Sequence, residues 1–241
     1  MTDRRRLSLD LGAAALTLAW GAFAHRVLPE RVRSTAGIGA ALGLAALARR
    51  AGSDWRDLGC DARDLPAGLK LGAAAAGAIV AVTATARALD RSGTGFQDAR
   101  VSDASRAEAV AQLLIRIPIA TALAEELVFR GVILGLGLRG GDRRRALLVS
   151  ALTFGLWHIG SALHPERQRA TAGVVGRRLA PAPVVVLGDV AATTIGGIGF
   201  GWLRLRSGSI AAPVMAHAAV NGSAYVATRL GRAAIRLGAG S

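Results

Sequence analysis

Long apolar runs separated by short polar segments dominate the chain, and seven of them stand out. A helix needs about 20 mostly apolar residues to cross a bilayer. Runs of this kind cover 7–24, 35–48, 68–89, 107–138, 146–163, 184–203 and 210–230. The 35–48 run is the shortest. The 107–138 run is the longest and holds Pro118, a residue that kinks or breaks a helix. A break there would raise the count to eight. The segments 49–66, 90–106 and 164–183 are rich in Gly, Asp, Arg and Pro and read as loops. No internal repeat appears and no linker divides the chain. The pattern predicts an all-α, polytopic transmembrane helical bundle of about seven to eight spans, a single membrane domain over 1–241.

Composition strengthens that reading. Of 241 residues, 52% are hydrophobic and only 19% charged, and mean hydropathy is +0.39. An ordinary soluble domain is less apolar and more charged. The apolar residues are mostly Ala, Leu and Val, with many Gly, the small types that let membrane helices approach closely. Thirty basic against sixteen acidic residues give a net charge of +14. In a soluble protein that balance points to nucleic acid. Here the arginines cluster at the edges of apolar runs, in DRRR, LARRAG, GGDRRRA, VGRRLA and LRLRSG, where interface anchors sit. No basic face with interleaved aromatics accompanies them. The expected partner is therefore the lipid bilayer and not nucleic acid. Loop Lys and Arg divide evenly between the two sides, so charge bias sets no orientation. The first run follows Arg4–Arg6 and ends in Ala22-Phe23-Ala24, a pattern shared with cleavable signal peptides. In a chain with this many spans it reads as a retained first span. The single cysteine, Cys60, excludes an intrachain disulfide and a multi-cysteine zinc site.

Within the longest run, ALAEELVFRG places Glu125, Glu126 and Arg130 among apolar neighbours. Ionisable groups inside a span mark functional sites by default. Glu126 and Arg130 are four apart and can pair along one helix face. Glu125 points about 100° away from Glu126, so one carboxylate serves the arginine and one is left over. The next run places Phe154 and His158 four apart in TFGLWHIG, and the last places His217 and Asn221 four apart in VMAHAAVNG. Either histidine alone reads as a packing residue; polar groups on three helices of one bundle converge inward. A carboxylate beside an imidazole can hold a water and take its proton as it attacks a carbonyl. A second imidazole and an amide can donate to the resulting oxyanion. Peptide hydrolysis without a Ser or Cys nucleophile needs nothing more. Neither H-E-x-x-H nor G-x-S-x-G occurs. Two His and a Glu also make a zinc ligand set, so residue types leave metal-bound and metal-free water both open. His164, just before Pro165, reads as a helix-end residue, and His25, beside Arg26, as an interface residue.

The three spacings E-E-x-x-x-R, F-x-x-x-H and H-x-x-x-N, in this order on successive helices, resemble the CPBP family. That family comprises CAAX prenyl proteases of the Rce1 type and bacteriocin-processing or immunity-associated intramembrane proteases, also called Abi. The match spans about 113–226 and every motif position is present. The resemblance implies Glu125 as catalytic carboxylate and His158 as its partner on the attacking water. It implies support from Glu126 and Arg130, packing by Phe154, and oxyanion stabilisation by His217 with Asn221. The catalytic core would lie within 107–230. The family is called a metalloprotease family by convention, and the resemblance equally allows a glutamate-dependent mechanism. The preferred expectation is that no cofactor is required; if zinc is bound, its ligands would be Glu125, His158 and His217. The function implied is an intramembrane endopeptidase acting on a membrane-protein, prenylated or leader-peptide substrate. The Arg- and Ala-rich composition points to a bacterial cell membrane. Two competing functions are a non-proteolytic membrane scaffold or immunity protein, and a proton-coupled transporter. The latter would want inverted repeats with broken helices, and the sequence has no such symmetry.

Overall fold

A computed structural model describes residues 3–90, 101, 104–163 and 182–238. Seven long helices make up the described chain: α1 (Asp3–Val27), α2 (Glu30–Arg50), α3 (Leu65–Leu89), α4 (106–138), α5 (Arg143–Trp157), α6 (Ala182–Ser207) and α7 (Ala211–Gly238). No strand occurs among the described residues. Each apolar run of the sequence maps onto one helix. Two helices, Leu65–Leu89 and Pro183–Ser207, are long and apolar enough to cross a membrane. The expectation of seven to eight spans thus reduces to seven helices, two of which meet that test. Charged and polar residues interrupt the others, above all α4 with Arg116, Glu125, Glu126 and Arg130. His164 and most of the loop 164–183 lie outside the described residues, as do most of 90–106.

Pro118 does not divide α4. Its missing N–H is absorbed because the ladder widens to i→i+5 bonding through Gln112–Leu123 and again through Leu127–Ile133. The helix starts at a capping box: Ser105 Oγ accepts from the Glu108 N–H (3.2 Å), and Glu108 Oε2 accepts from the Ser105 N–H (2.7 Å). Asp142 caps α5 by accepting from the Arg145 N–H at 3.0 Å.

Small residues set how closely the helices approach. Gly68 and Gly72 on α3 face Ser209, Ala212 and Met215, and a Cβ at Gly72 would come within 3.0 Å of the Ala212 Cα. Gly197 on α6 lies against the Ala151 backbone of α5, where a Cβ would sit 3.1 Å from the Ala151 Cα. Both contacts follow the small-xxx-small logic of membrane helix pairs. α4 runs through the middle, with Phe129, Val132, Ile133 and Leu134 buried. The α2–α3 loop docks on its glycine face: a Cβ at Gly135 would collide with the Asp57 carbonyl oxygen. Arg204 clamps that loop, its Nη2 donating to Arg56 O (2.9 Å) and Asp57 O (3.1 Å). α1 is tied to the start of α5 by a half-buried pair, Arg145 Nη1 to Asp10 Oδ2 at 2.7 Å.

Burial is inverted relative to a soluble domain. The largest fully buried side chain is Arg130, and Glu126 and Asp10 are fully buried too. Outer faces expose Val82 on α3, Leu114 on α4, and Leu187 and Ile195 on α6, each 68–69% accessible. An apolar surface of this extent is rare on a water-soluble monomer and marks a membrane or partner contact.

Candidate active site

The i,i+4 spacing on α4 delivers the expected ion pair. Arg130 Nη1 donates to Glu126 Oε1 at 2.9 Å, with both side chains fully buried. Arg130 Nη2 donates to the Gly197 carbonyl of α6 at 3.1 Å. Three aromatic rings enclose the guanidinium: Phe154 at 4.3 Å, Phe200 at 5.2 Å and Phe129 at 5.8 Å from Cζ to ring centroid. Cation–π contact of this kind gains strength away from water.

Glu126 has a second partner that helix spacing alone does not reveal. His217 Nδ1 donates to Glu126 Oε1 at 2.8 Å, linking α7 to α4 across 91 residues of sequence. That bond fixes the imidazole so that Nε2 faces Glu125, 4.0 Å from Oε2. Phe200 stacks on the His217 ring at 5.1 Å and 19°, and Phe154 meets it edge-on at 5.8 Å. Glu125 Oε2 is buried with no hydrogen-bond partner. His158 ends α5, and its Nδ1 donates to the Phe154 carbonyl at 2.8 Å. In the neutral ring this leaves the Nε2 lone pair free to accept. Phe154 packs edge-on against His158 at 4.6 Å.

Glu125, His158, His217 and Asn221 all line one cavity of about 760 Å³ between α1, α2, α4, α5 and α7. Asn221 has no hydrogen bond to a described residue, so its amide is uncommitted. Of the three residues expected to support the site, Phe154 and Glu126 stand behind this wall in contact with His158 or His217, and Arg130 is bonded to Glu126. Among the described residues no group of three His, Cys, Asp or Glu side chains is arranged to hold a metal ion; Glu125, His158 and His217 form no such triad here. The donor set suits zinc by chemistry, while the packing holds His217 Nδ1 on Glu126.

The same cavity brings in residues that the sequence reading placed elsewhere. His25, expected at an interface, lines it together with Arg33 and Ser161. Arg33 Nη1 donates to His25 Nδ1 at 3.3 Å. A signal for His25 does exist in retrospect: Gly160, two residues past His158, leaves room for its ring, since a Cβ there would meet His25 Cδ2 at 2.7 Å.

A conserved-domain description, type II CAAX prenyl endopeptidase Rce1-like, matches residues 107–223. This segment holds all seven residues of the three motifs. The match over this segment supports an assignment to the CAAX-protease (CPBP) family, and Rce1-like proteins are integral membrane proteases. No curated protein and no solved structure matches the chain.

Proposed function

We propose that the protein is a multi-pass intramembrane endopeptidase that hydrolyses a peptide bond with water activated by Glu125 and His158. The observation that carries this reading is a buried carboxylate oxygen without a hydrogen bond. Glu125 Oε2 is buried beside a cavity, lacks any hydrogen bond, and shares that cavity with His158, His217 and Asn221. An unsatisfied buried carboxylate is costly, and a bound water bridging it to His158 Nε2 removes that cost.

The steps follow from proton and electron bookkeeping. Glu125 takes a proton from the water while His158 Nε2 holds the second hydrogen, and the water oxygen bonds to the substrate carbonyl carbon. The carbonyl π pair moves to oxygen, where the Asn221 amide donates. His217 gives Nδ1–H to Glu126 and donates to the same oxygen through Nε2 when its ring carries both protons, with the Glu126 carboxylate as counter-charge. Collapse of the tetrahedral species breaks the C–N bond, and Glu125 returns its proton to the leaving amine. Each group has a role without metal, so the reaction is written with side chains alone.

Lipid-facing exposure of α3, α4 and α6 supports a substrate that arrives from the membrane. A membrane protein, a leader peptide or a prenylated peptide fits that route, in a bacterial cell membrane. The test is cleavage of a quenched peptide library by detergent-purified protein, wild type beside Glu125→Gln. Glu125-dependent turnover is expected. A wild type that cleaves no member, or a Glu125→Gln variant that cleaves as well as wild type, would leave a non-catalytic membrane scaffold.

A further inference from the structure

The cavity wall that carries Glu125 also carries a hydroxyl that is not spent on the fold. Thr121 stands four residues before Glu125 on α4, is half-buried, and lines the same cavity. A threonine inside a helix commonly donates its hydroxyl hydrogen to the carbonyl four residues back. Thr17, Thr153, Thr193 and Thr228 do so here, donating to the carbonyls of Ala13, Val149, Asp189 and Ala224 at 2.6–2.9 Å. The Thr121 hydroxyl makes no hydrogen bond among the described residues. The cause is local: Thr121 lies in the stretch Gln112–Leu123, where the ladder widens to i→i+5. A wider turn moves the carbonyl four residues back out from beneath the side chain. The wall beside Thr121 is low. Ala120 and Ala124 flank it on α4, and Gly37 and Ala40 line the cavity from α2, so a peptide main chain can come within hydrogen-bond reach.

We infer that Thr121 is a substrate-binding residue, whose hydroxyl bonds one main-chain peptide unit of the substrate about two residues from the scissile bond. This rests on the hydrolytic reading above. Four residues of helix advance about 6 Å, and an extended chain advances about 3.3 Å per residue. A peptide lying along α4 with its scissile carbonyl at Glu125 therefore brings the unit about two residues away to Thr121. The hydroxyl can donate to that unit's carbonyl or accept from its N–H. Either bond matters more here than in water, because a peptide group taken into an apolar cavity without a partner is costly. Nearly every residue type offers the same main-chain groups, so the contact sets the register of the substrate without selecting its side chains. A slip by one residue loses the bond, and the scissile carbonyl is thereby held over Glu125.

The experiment uses the full chain in detergent and a member of the quenched library that it binds. That peptide is remade with a single ester in place of each amide in turn, the scissile one excepted. An ester lacks the N–H and its carbonyl is a weaker acceptor, so it weakens the bond in either direction. Wild type should lose kcat/KM roughly 3- to 10-fold at one ester position near the scissile bond, the worth of one neutral hydrogen bond. Thr121→Val keeps the shape and removes the hydroxyl. It should lose a similar factor on the all-amide peptide and nothing further with that ester, while Thr121→Ser keeps most of the rate. All three proteins should lose their monodisperse peak at the same temperature. Losses from Thr121→Val that simply multiply with those from every ester would overturn the inference, by reducing Thr121 to a packing or water-holding residue. A Thr121→Val variant as active as wild type, or one whose loss follows a particular substrate side chain, would overturn it too. Binding of fluorescein-labelled amide and ester peptides to Glu125→Gln, with and without Thr121→Val, reads the contact without turnover. Coupling in binding with no cleavage by wild type would refute the hydrolytic reading alone, and cleavage with no coupling in either readout would refute the Thr121 contact alone.

Discussion

Glu125 and Glu126 are neighbours in sequence, yet the structure assigns them opposite sensitivities, and this can be measured. Glu126→Gln removes the one negative charge bonded to Arg130 among the described residues; Arg130 is fully buried and also holds the Gly197 carbonyl and three aromatic faces. The amide oxygen can still accept one bond, so the loss is chiefly the uncompensated charge. Breaking a buried pair in this way costs about 3–5 kcal/mol, against a total stability on the order of 5–15 kcal/mol. The unfolded fraction should rise more than about 100-fold. Glu125→Gln removes a carboxylate whose Oε2 has no hydrogen bond, and should change stability by less than about 1 kcal/mol.

Unfolding of both variants in one detergent, followed by loss of the monodisperse peak on heating, separates the two effects, with quenched-peptide cleavage as the second readout. Glu126→Gln should be poorly folded. Glu125→Gln should be folded and inactive. The double replacement Glu126→Leu with Arg130→Met removes both charges and should recover most of the stability, because apolar substitutes for a buried pair are often neutral or stabilising. It should not recover activity, since His217 then loses the acceptor at 2.8 Å that orients its ring. Equal destabilisation of the two single glutamine variants would refute the division of labour, and so would a double variant no better folded than Glu126→Gln.

Three further outcomes are expected. Phe154→Leu removes the ring 4.3 Å from Arg130 and 4.6 Å from His158; thermal unfolding should show a loss of about 1–2 kcal/mol, and kcat should fall more than KM changes. Gly135→Ala puts a methyl group against the Asp57 carbonyl and should cost about 1–3 kcal/mol, read as faster proteolysis of the 51–64 loop; wild-type resistance would show that the loop is not docked on α4. Chelation with a membrane-permeant phenanthroline, paired with elemental analysis, should leave peptide cleavage intact, whereas stoichiometric zinc whose removal and return switch activity off and on would replace the metal-free mechanism.

What could be read from sequence divides along one physical line. Contacts inside a helix follow from the angle of 100° per residue, so the Glu126–Arg130 pair, the leftover Glu125, and Phe154 beside His158 were all legible. Helix positions were legible too, because each apolar run is bounded by polar, Gly- or Pro-containing segments. Contacts between helices were not. The bond from His217 to Glu126 spans 91 residues, and nothing in the spacing of VMAHAAVNG says which carboxylate it meets. Nor does spacing link Asp10 to Arg145, 135 residues on, although Asp10 is fully buried against it. His25 looked peripheral because it lies beside Arg26 at the end of a span, while the missing side chain of Gly160 leaves room for its ring at the cavity. Pro118 illustrates the converse error: its local rule predicts a break, and the rest of α4 is packed well enough to carry the helix through.

The two adjacent acids of α4 make sense as one device. A carboxylate that activates water must stay uncommitted, and an imidazole that stabilises an oxyanion must be held in one orientation. A single Glu cannot satisfy both demands, because a bond to the orienting partner would spend it. Placing the second Glu one residue away turns it about 100°, behind the cavity wall, where Arg130 neutralises it and His217 is anchored on it. On the proposed reading the structural pair and the reactive group are built from consecutive residues, and the His217 imidazole meets both. His217 Nε2, 4.0 Å from Glu125 Oε2, is where the two halves of the device meet, and an arrangement with the order of the acids exchanged would bury the reactive carboxylate and expose the structural one.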